Sequence, residues 1–387
     1  MGRGGQAAAP SGVPSGDGIL RVLRTGAFAF ETGGFLPAVD LAYETWGRLN
    51  ADASNAVLLQ HALTGDTHVA RGDGAEPGWW DGFIGPGRTI DTERYFVVAA
   101  NMVGGCYGST GPSSPDADGV PWGSRFPFTT IRDSVRLEAR LADELGIDRW
   151  HAVVGGSMGG ARALEWAAEF PHRVGHCVVV AATAQASAEQ IAFAQAQSAA
   201  IRLDPGFAGG DYYDAGADPG GTAQGARGPV GGLGIARRIA HVTYRSEPEL
   251  ESRFGRAAQP GESPLGSATS ERGRYQVESY LDHQADKLAA RFDANSYLVL
   301  TEALMSHDVG RGRGGVEAAL ARLDSTRFFI AAVTSDRLYW PEQSERLAAL
   351  LPGRPPVHAI DSPIGHDGFL TDITQLDAPL RATVFAG

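Results

Sequence analysis

Residues 153–160 read VVGGSMGG, a serine flanked by four glycines after an apolar run and before a helix-like stretch. Gly155 to Gly159 is a G-x-S-x-G pattern. At a sharp strand-to-helix turn, glycines are needed because side chains there would collide with the neighbouring strand and helix. The serine hydroxyl is then held at the positive end of a helix. A bare hydroxyl is a poor nucleophile unless a base takes its proton. In this setting the partners follow in the chain order Ser, Asp/Glu, His. Asp336 ends FFIAAVTSD, just after the run Phe328–Val333, and His366 lies in SPIGHDGFL after the run Val357–Asp361. Both fall on loops after strands, at the same sheet edge as Ser157. Charge developing on an attacked carbonyl needs two donors. One is the Met158 backbone N–H. The other comes from the loop His61-Ala62-Leu63-Thr64-Gly65-Asp66, with Leu63 as the expected donor. The chemistry would be acyl transfer or hydrolysis through an acyl-serine. The blander alternatives are a glycine-rich turn with an incidental serine, and a simple turn at HALTGD.

The elements that must position these residues are legible as alternating runs. Ala56–His61, Tyr95–Asn101, Trp150–Val154 and Cys177–Ala182 are short, apolar and rich in β-branched residues, which favours strand. Ile131–Leu145 carries Val135, Leu137, Leu141 and Leu145 at helical spacing and ends at Gly146. Met158–Phe170 is a second helix, stopping before Pro171. Strand–helix alternation implies a mostly parallel sheet flanked by helices. The alternation breaks from Ala184 to about Leu323, where Ile235–Tyr244 looks helical between two glycine-rich stretches. It resumes at Phe328, with a helix over Glu342–Leu351 and a final helix. The expected division is a tail at 1–17, an α/β core at 18–183 and 324–387, and a helical insertion at 184–323 covering the ligand-binding edge of the sheet.

Composition narrows the function. The 387 residues are 43% hydrophobic with a net charge of −12, enough for a large core and without the basic footprint of a nucleic-acid binder. Lys287 is the single lysine, so Schiff-base chemistry has almost no candidate. Cys106 and Cys177 suggest neither a disulfide framework nor a metal site. The N-terminus lacks a signal-peptide core, Gln6 stands where myristoylation wants Ser or Thr, and no run approaches the ~18 apolar residues of a membrane span. A reduced, cytoplasmic setting is expected. His172, beside Pro171, is expected at a solvated helix end.

Several stretches taken together resemble one family. HALTGD (61–66), PGWWDG (77–82), GGCYGSTGPSS (104–114), GGSMGGARALEW (155–166), TEALMSHDVGRGRGG (301–315), TSDRLY (334–339) and GHDGFL (365–370) are similar to homoserine O-acetyltransferase, across roughly Leu20 to Leu380. The resemblance implies an α/β-hydrolase fold with an inserted helical lid. It implies ping-pong transfer of an acetyl group from acetyl-CoA, a co-substrate rather than a bound cofactor, to the hydroxyl of L-homoserine in methionine biosynthesis. It puts the nucleophile at Ser157, the acid at Asp336 and the base at His366. It also points to Arg237 for the substrate carboxylate, Asp367 for the substrate amino group, Tyr244 as a pocket wall, and a homodimer through the lid helices. No metal, nucleic acid or membrane is implied. Adjacent Arg237 and Arg238 cannot share one helix face, and the residues alone leave them even. A succinyl donor, a serine acceptor, an esterase or thioesterase, and a non-catalytic binding protein are the alternatives. Asp214–Gly232 is longer and richer in glycine than the resemblance leads one to expect, and the 1–17 tail looks extra.

Overall fold

The computed structural model describes residues 16–213 and 228–386. Most of the glycine-rich stretch 214–232, and nearly all of the 1–17 tail, lie outside the described residues.

Eight strands form one sheet: β1 (Arg21–Arg24), β2 (Asp40–Trp46), β3 (Ala56–Gln60), β4 (Phe96–Ala100), β5 (Trp150–Gly156), β6 (Val174–Val180), β7 (Arg327–Val333) and β8 (Val357–Ile360). Their spatial order is β1-β2-β4-β3-β5-β6-β7-β8. The β1–β2 and β2–β4 pairs are antiparallel, and the six strands from β4 to β8 run parallel. Strands buried on both faces need apolar residues at every position. Accordingly β3 and β4 are buried along their whole length. Leu58, Val98, Val153 and Val179 pack on one face against α1 (Ile131–Glu144) and α2 (Met158–Glu169). Val57, Val97, Val154 and Val178 face the other way, toward Ile373, Leu376 and Leu380 near the C-terminus. Each such side chain contributes roughly 1.5–3 kcal/mol by leaving water.

Local signals set the helix ends. Thr130 and Asp133 form a reciprocal capping box at the start of α1. The helix closes at Gly146, whose φ of 70° suits a residue without Cβ. Residues 171–173 form a single 3₁₀ turn with His172 exposed.

Between β6 and β7 the chain is helical, with α3 (Ala188–Leu203), α4 (Val230–Tyr244), α5 (Glu247–Phe254), α6 (Gln276–Ala289), α7 (Ala294–Met305) and α8 (Val316–Leu320). Among the described residues this stretch holds no strand. Its apolar underside joins Leu233, Tyr297, Leu300 and Leu304 into a cluster with Leu63, Met102 and Met158 of the sheet edge. Two strands of this sheet were not anticipated: β1, and β2, whose DLAYETW carries two carboxylates. Glu44 of β2 is nonetheless buried, bonded by Thr67 and His68.

Candidate active site

β5 runs straight into the turn at Ser157, and α2 begins at the next residue. A Cβ on Gly155 would lie 2.2 Å from the Gly159 backbone, and one on Gly159 would lie 2.0 Å from the Gln60 carbonyl. Only glycine lets strand and helix approach this closely. Ser157 has φ 57° and ψ −126°, a sparsely populated conformation for a residue with a side chain. That strain lifts the hydroxyl out of the sheet edge.

Three side chains from three post-strand loops converge there. His366 Nε2 lies 2.8 Å from Ser157 Oγ, and His366 Nδ1 lies 2.6 Å from Asp336 Oδ2. Asp336 Oδ1 accepts from the Leu338 and Tyr339 amides, each at 2.9 Å. Those bonds point Oδ2 at the imidazole. Tyr339 stacks on the His366 ring at 5.1 Å between centroids, and Tyr244 stands 5.8 Å away on another side. All three relay residues are buried.

Burial alone would push the His366 pKa down. The Asp336 charge and hydrogen bond, with the Asp367 charge, outweigh it and raise it above the ordinary imidazole value. The base must be neutral to accept the serine proton, so kcat/KM should climb with pH through a pKa above ~6.5. Stability runs the other way. A raised folded-state pKa contributes stability fully below the unfolded value, and this is lost as pH rises through the folded one. A pH–rate profile flat from pH 5 to 9 would contradict this assignment.

The Leu63 and Met158 amides donate to no protein acceptor among the described residues. Leu63, Ser157, Tyr244 and Tyr339 line a narrow cavity of about 40 Å³ with Gln190 and Leu304, and no charged side chain lines it.

The adjacent arginines of α4 diverge. Arg238 Nη2 donates to Asp282 Oδ1 at 2.9 Å on α6. Arg237 has no ion-pair partner among the described residues; its guanidinium lies 5.9 Å from the Tyr244 ring centre, and its Nε is buried without a partner. Asp367, next in sequence to His366, pairs with Arg245 at 3.2 Å. Burial raises the Asp367 pKa against the pull of Arg245, His366 and Arg237. His241, one turn after Arg237 on α4, has its Nδ1 3.0 Å from the Tyr280 hydroxyl. Burial and the charges of Arg237 and Arg245 push its pKa down to about 3, so its ring is neutral.

A family model for the alpha/beta hydrolase fold matches residues 55–372. A homoserine O-acetyltransferase of Thermobifida fusca is 58% identical over 354 residues, covering 91% of this chain and 89% of that protein. The chain belongs to the homoserine O-acetyltransferase family. The structure of homoserine O-acetyltransferase from Bacillus anthracis superposes with a TM-score of 0.85 at 28% identity, covering 95% of this chain and 98% of that one. Esterase E22 superposes with a TM-score of 0.83 at 26% identity, over 95% and 99% of the two chains. In the homoserine O-acetyltransferase family, then, the same scaffold has hydrolase neighbours, and the relay alone does not separate transfer from hydrolysis.

In this homoserine O-acetyltransferase relative, Ser157, Asp336 and His366 meet, Tyr244 walls the cavity, and Arg237 rather than Arg238 is left unpaired beside it. Arg245 was not singled out from sequence. It lies just past the end of α4, with an extended backbone, where helical spacing gives no guide to the direction of its side chain. Gln190 and Tyr339 carried no signal either.

Proposed function

We propose that this chain transfers an acetyl group from acetyl-CoA to the hydroxyl of L-homoserine through an acetyl-Ser157 intermediate. His366, oriented by Asp336, takes the Ser157 proton as Oγ attacks the thioester carbon. The Met158 and Leu63 amides meet the oxyanion, the thiolate leaves, and His366 returns the proton to it. The homoserine hydroxyl then gives its proton to His366 and attacks the acetyl carbon, releasing Ser157. Arg237 receives the acceptor carboxylate and Asp367 its amino group.

The observation that carries transfer over hydrolysis is the Arg237 guanidinium, unpaired among the described residues and beside Tyr244, while its neighbour is engaged by Asp282. A fixed planar cation suits a carboxylate-bearing acceptor and has no use in splitting a simple ester. The acetyl donor, rather than a succinyl one, is supported by relatives that carry the name homoserine O-acetyltransferase.

The test is release of free thiol from acetyl-CoA with and without homoserine. Homoserine should accelerate release and yield O-acetylhomoserine; equal rates in both arms would indicate a thioesterase. Arg237→Ala should raise KM for homoserine by about 10²-fold, the loss of a charge-assisted pair worth ~1.5–3 kcal/mol. Arg238→Ala, with the same charge change on the neighbouring position, should leave that KM nearly unmoved. Equal effects from the two would overturn the assignment.

The same reading implies no resident cofactor and a cytoplasmic location. Among the described residues no group of three or more His, Cys, Asp and Glu could hold a metal ion, and no helix is long and apolar enough to cross a membrane. It also implies a homodimer through the inserted helices, supported by the exposed apolar side chains Ile191 on α3 and Ile235 and Val242 on α4. A monomer by sedimentation at micromolar concentration would remove that part.

A further inference from the structure

We infer that His61 is a positioning residue that aims the Leu63 amide at the oxyanion; this rests on reading Leu63 as one of the two donors to the acyl intermediate. His61 follows the last residue of β3 and is almost wholly buried. The Met102 amide approaches its Nε2 at 3.0 Å. An amide N–H can only donate, so Nε2 carries no proton and the ring proton sits on Nδ1. Nδ1 lies 2.8 Å from the Ala62 carbonyl oxygen and donates to it.

That carbonyl and the Leu63 N–H are opposite ends of one planar peptide. Fixing the direction of the oxygen fixes the direction of the hydrogen. The Gly65 amide is a second donor to the same oxygen, at 3.0 Å. Two donors on the oxygen also polarise the peptide and strengthen its N–H as a donor. From the insertion, Arg291 Nη1 holds the next carbonyl but one, that of Thr64, at 3.1 Å. Burial, joined by the nearby Arg162 charge, pushes the His61 pKa down to about 3. The ring therefore keeps this tautomer wherever His366 can act as a base.

Two substitutions divide the two bonds. His61→Gln can place an acceptor near the Nε2 position for Met102 but offers no donor to Ala62. His61→Asn can place a donor near the Nδ1 position for Ala62 but abandons Met102. The readouts are the single-turnover rate of Ser157 acetylation, the KM values, and inhibition by trifluoroacetone. In that adduct Ser157 Oγ bonds to the ketone carbon, the carbonyl π pair becomes an oxyanion, and the hydroxyl proton passes to His366. His61→Gln should slow acetylation ~10–100-fold and weaken trifluoroacetone by a similar factor, with both KM values nearly constant. His61→Asn should lose no more than about fivefold in either.

Equal losses from both variants, or a loss confined to KM, would overturn the inference. So would imidazole nitrogen shifts of the unmodified protein placing the His61 proton on Nε2, a measurement that needs no substitution. A wild-type protein that forms no acetyl-Ser157 would instead overturn the functional reading, while the nitrogen shifts still decide which tautomer His61 adopts.

Discussion

Asp336→Asn should lower kcat about 10⁴-fold in a protein that remains folded. The reason lies in which oxygen does what. Oδ1 accepts from the Leu338 and Tyr339 amides. Both are obligate donors, so an asparagine at this position must turn its own oxygen toward them. Its NH₂ group then faces His366 Nδ1, where Oδ2 now sits at 2.6 Å. A donor at that place forces Nδ1 to become the acceptor and moves the ring proton to Nε2. Nε2 would then point a hydrogen at Ser157 Oγ and could take no proton from it. The isosteric change costs little packing, so a thermal melt close to wild type beside the collapsed rate is the expected pair of results. A variant retaining a tenth of wild-type turnover would mean that the carboxylate orients nothing.

The largest expected effect on stability lies beneath the site. Glu138 of α1 accepts from Arg162 Nη2 at 2.5 Å, Gln60 Nε2 at 2.5 Å, Trp166 Nε1 at 2.6 Å and Ser134 Oγ at 2.7 Å. Both charged partners are fully inaccessible to solvent. Arg162 Nε and Nη1 have no hydrogen-bond partner, so Glu138 is its compensating charge. Glu138→Ala leaves a buried guanidinium uncompensated and should cost about 3–5 kcal/mol in urea unfolding. Glu138→Leu combined with Arg162→Met should recover most of that, because the desolvation of both charges disappears together. A single Glu138→Ala costing under ~1 kcal/mol would show that water reaches Arg162.

How much of this was legible in advance differed residue by residue. The turn at Ser157 was visible because glycine on both sides of a serine, between an apolar run and a helical rhythm, answers a steric need found in few places. Asp336 and His366 could be named because each follows a short apolar run, in the chain order such a relay adopts. Arg237 and Arg238 were indistinguishable because adjacent positions point in divergent directions and the register of the helix is not written locally. What separates them is Asp282, far along the chain on another helix. The start of α4 was missed by five residues: Val230–Gly234 is glycine-rich and low in helix propensity, and it is helical because tertiary contacts hold it, as Gly232 does against the Ala200 backbone. β5 continues through Gly155 and Gly156, which sequence reasoning assigns to the turn. β2 escaped because its carboxylates mask a strand whose Glu44 has bonded partners inside.

The side chains of Leu63 and Met158 are buried in the same apolar cluster as Leu233, Tyr297 and Leu304 of the inserted helices. The two residues proposed to supply the oxyanion donors are thus anchored in the roof as well as in the floor. On that proposal, tailoring the roof to a new acceptor by altering its greasy underside would disturb the very groups assigned to stabilise attack. Room for diversification is left on the polar side, around Arg237, which is not bonded to the relay.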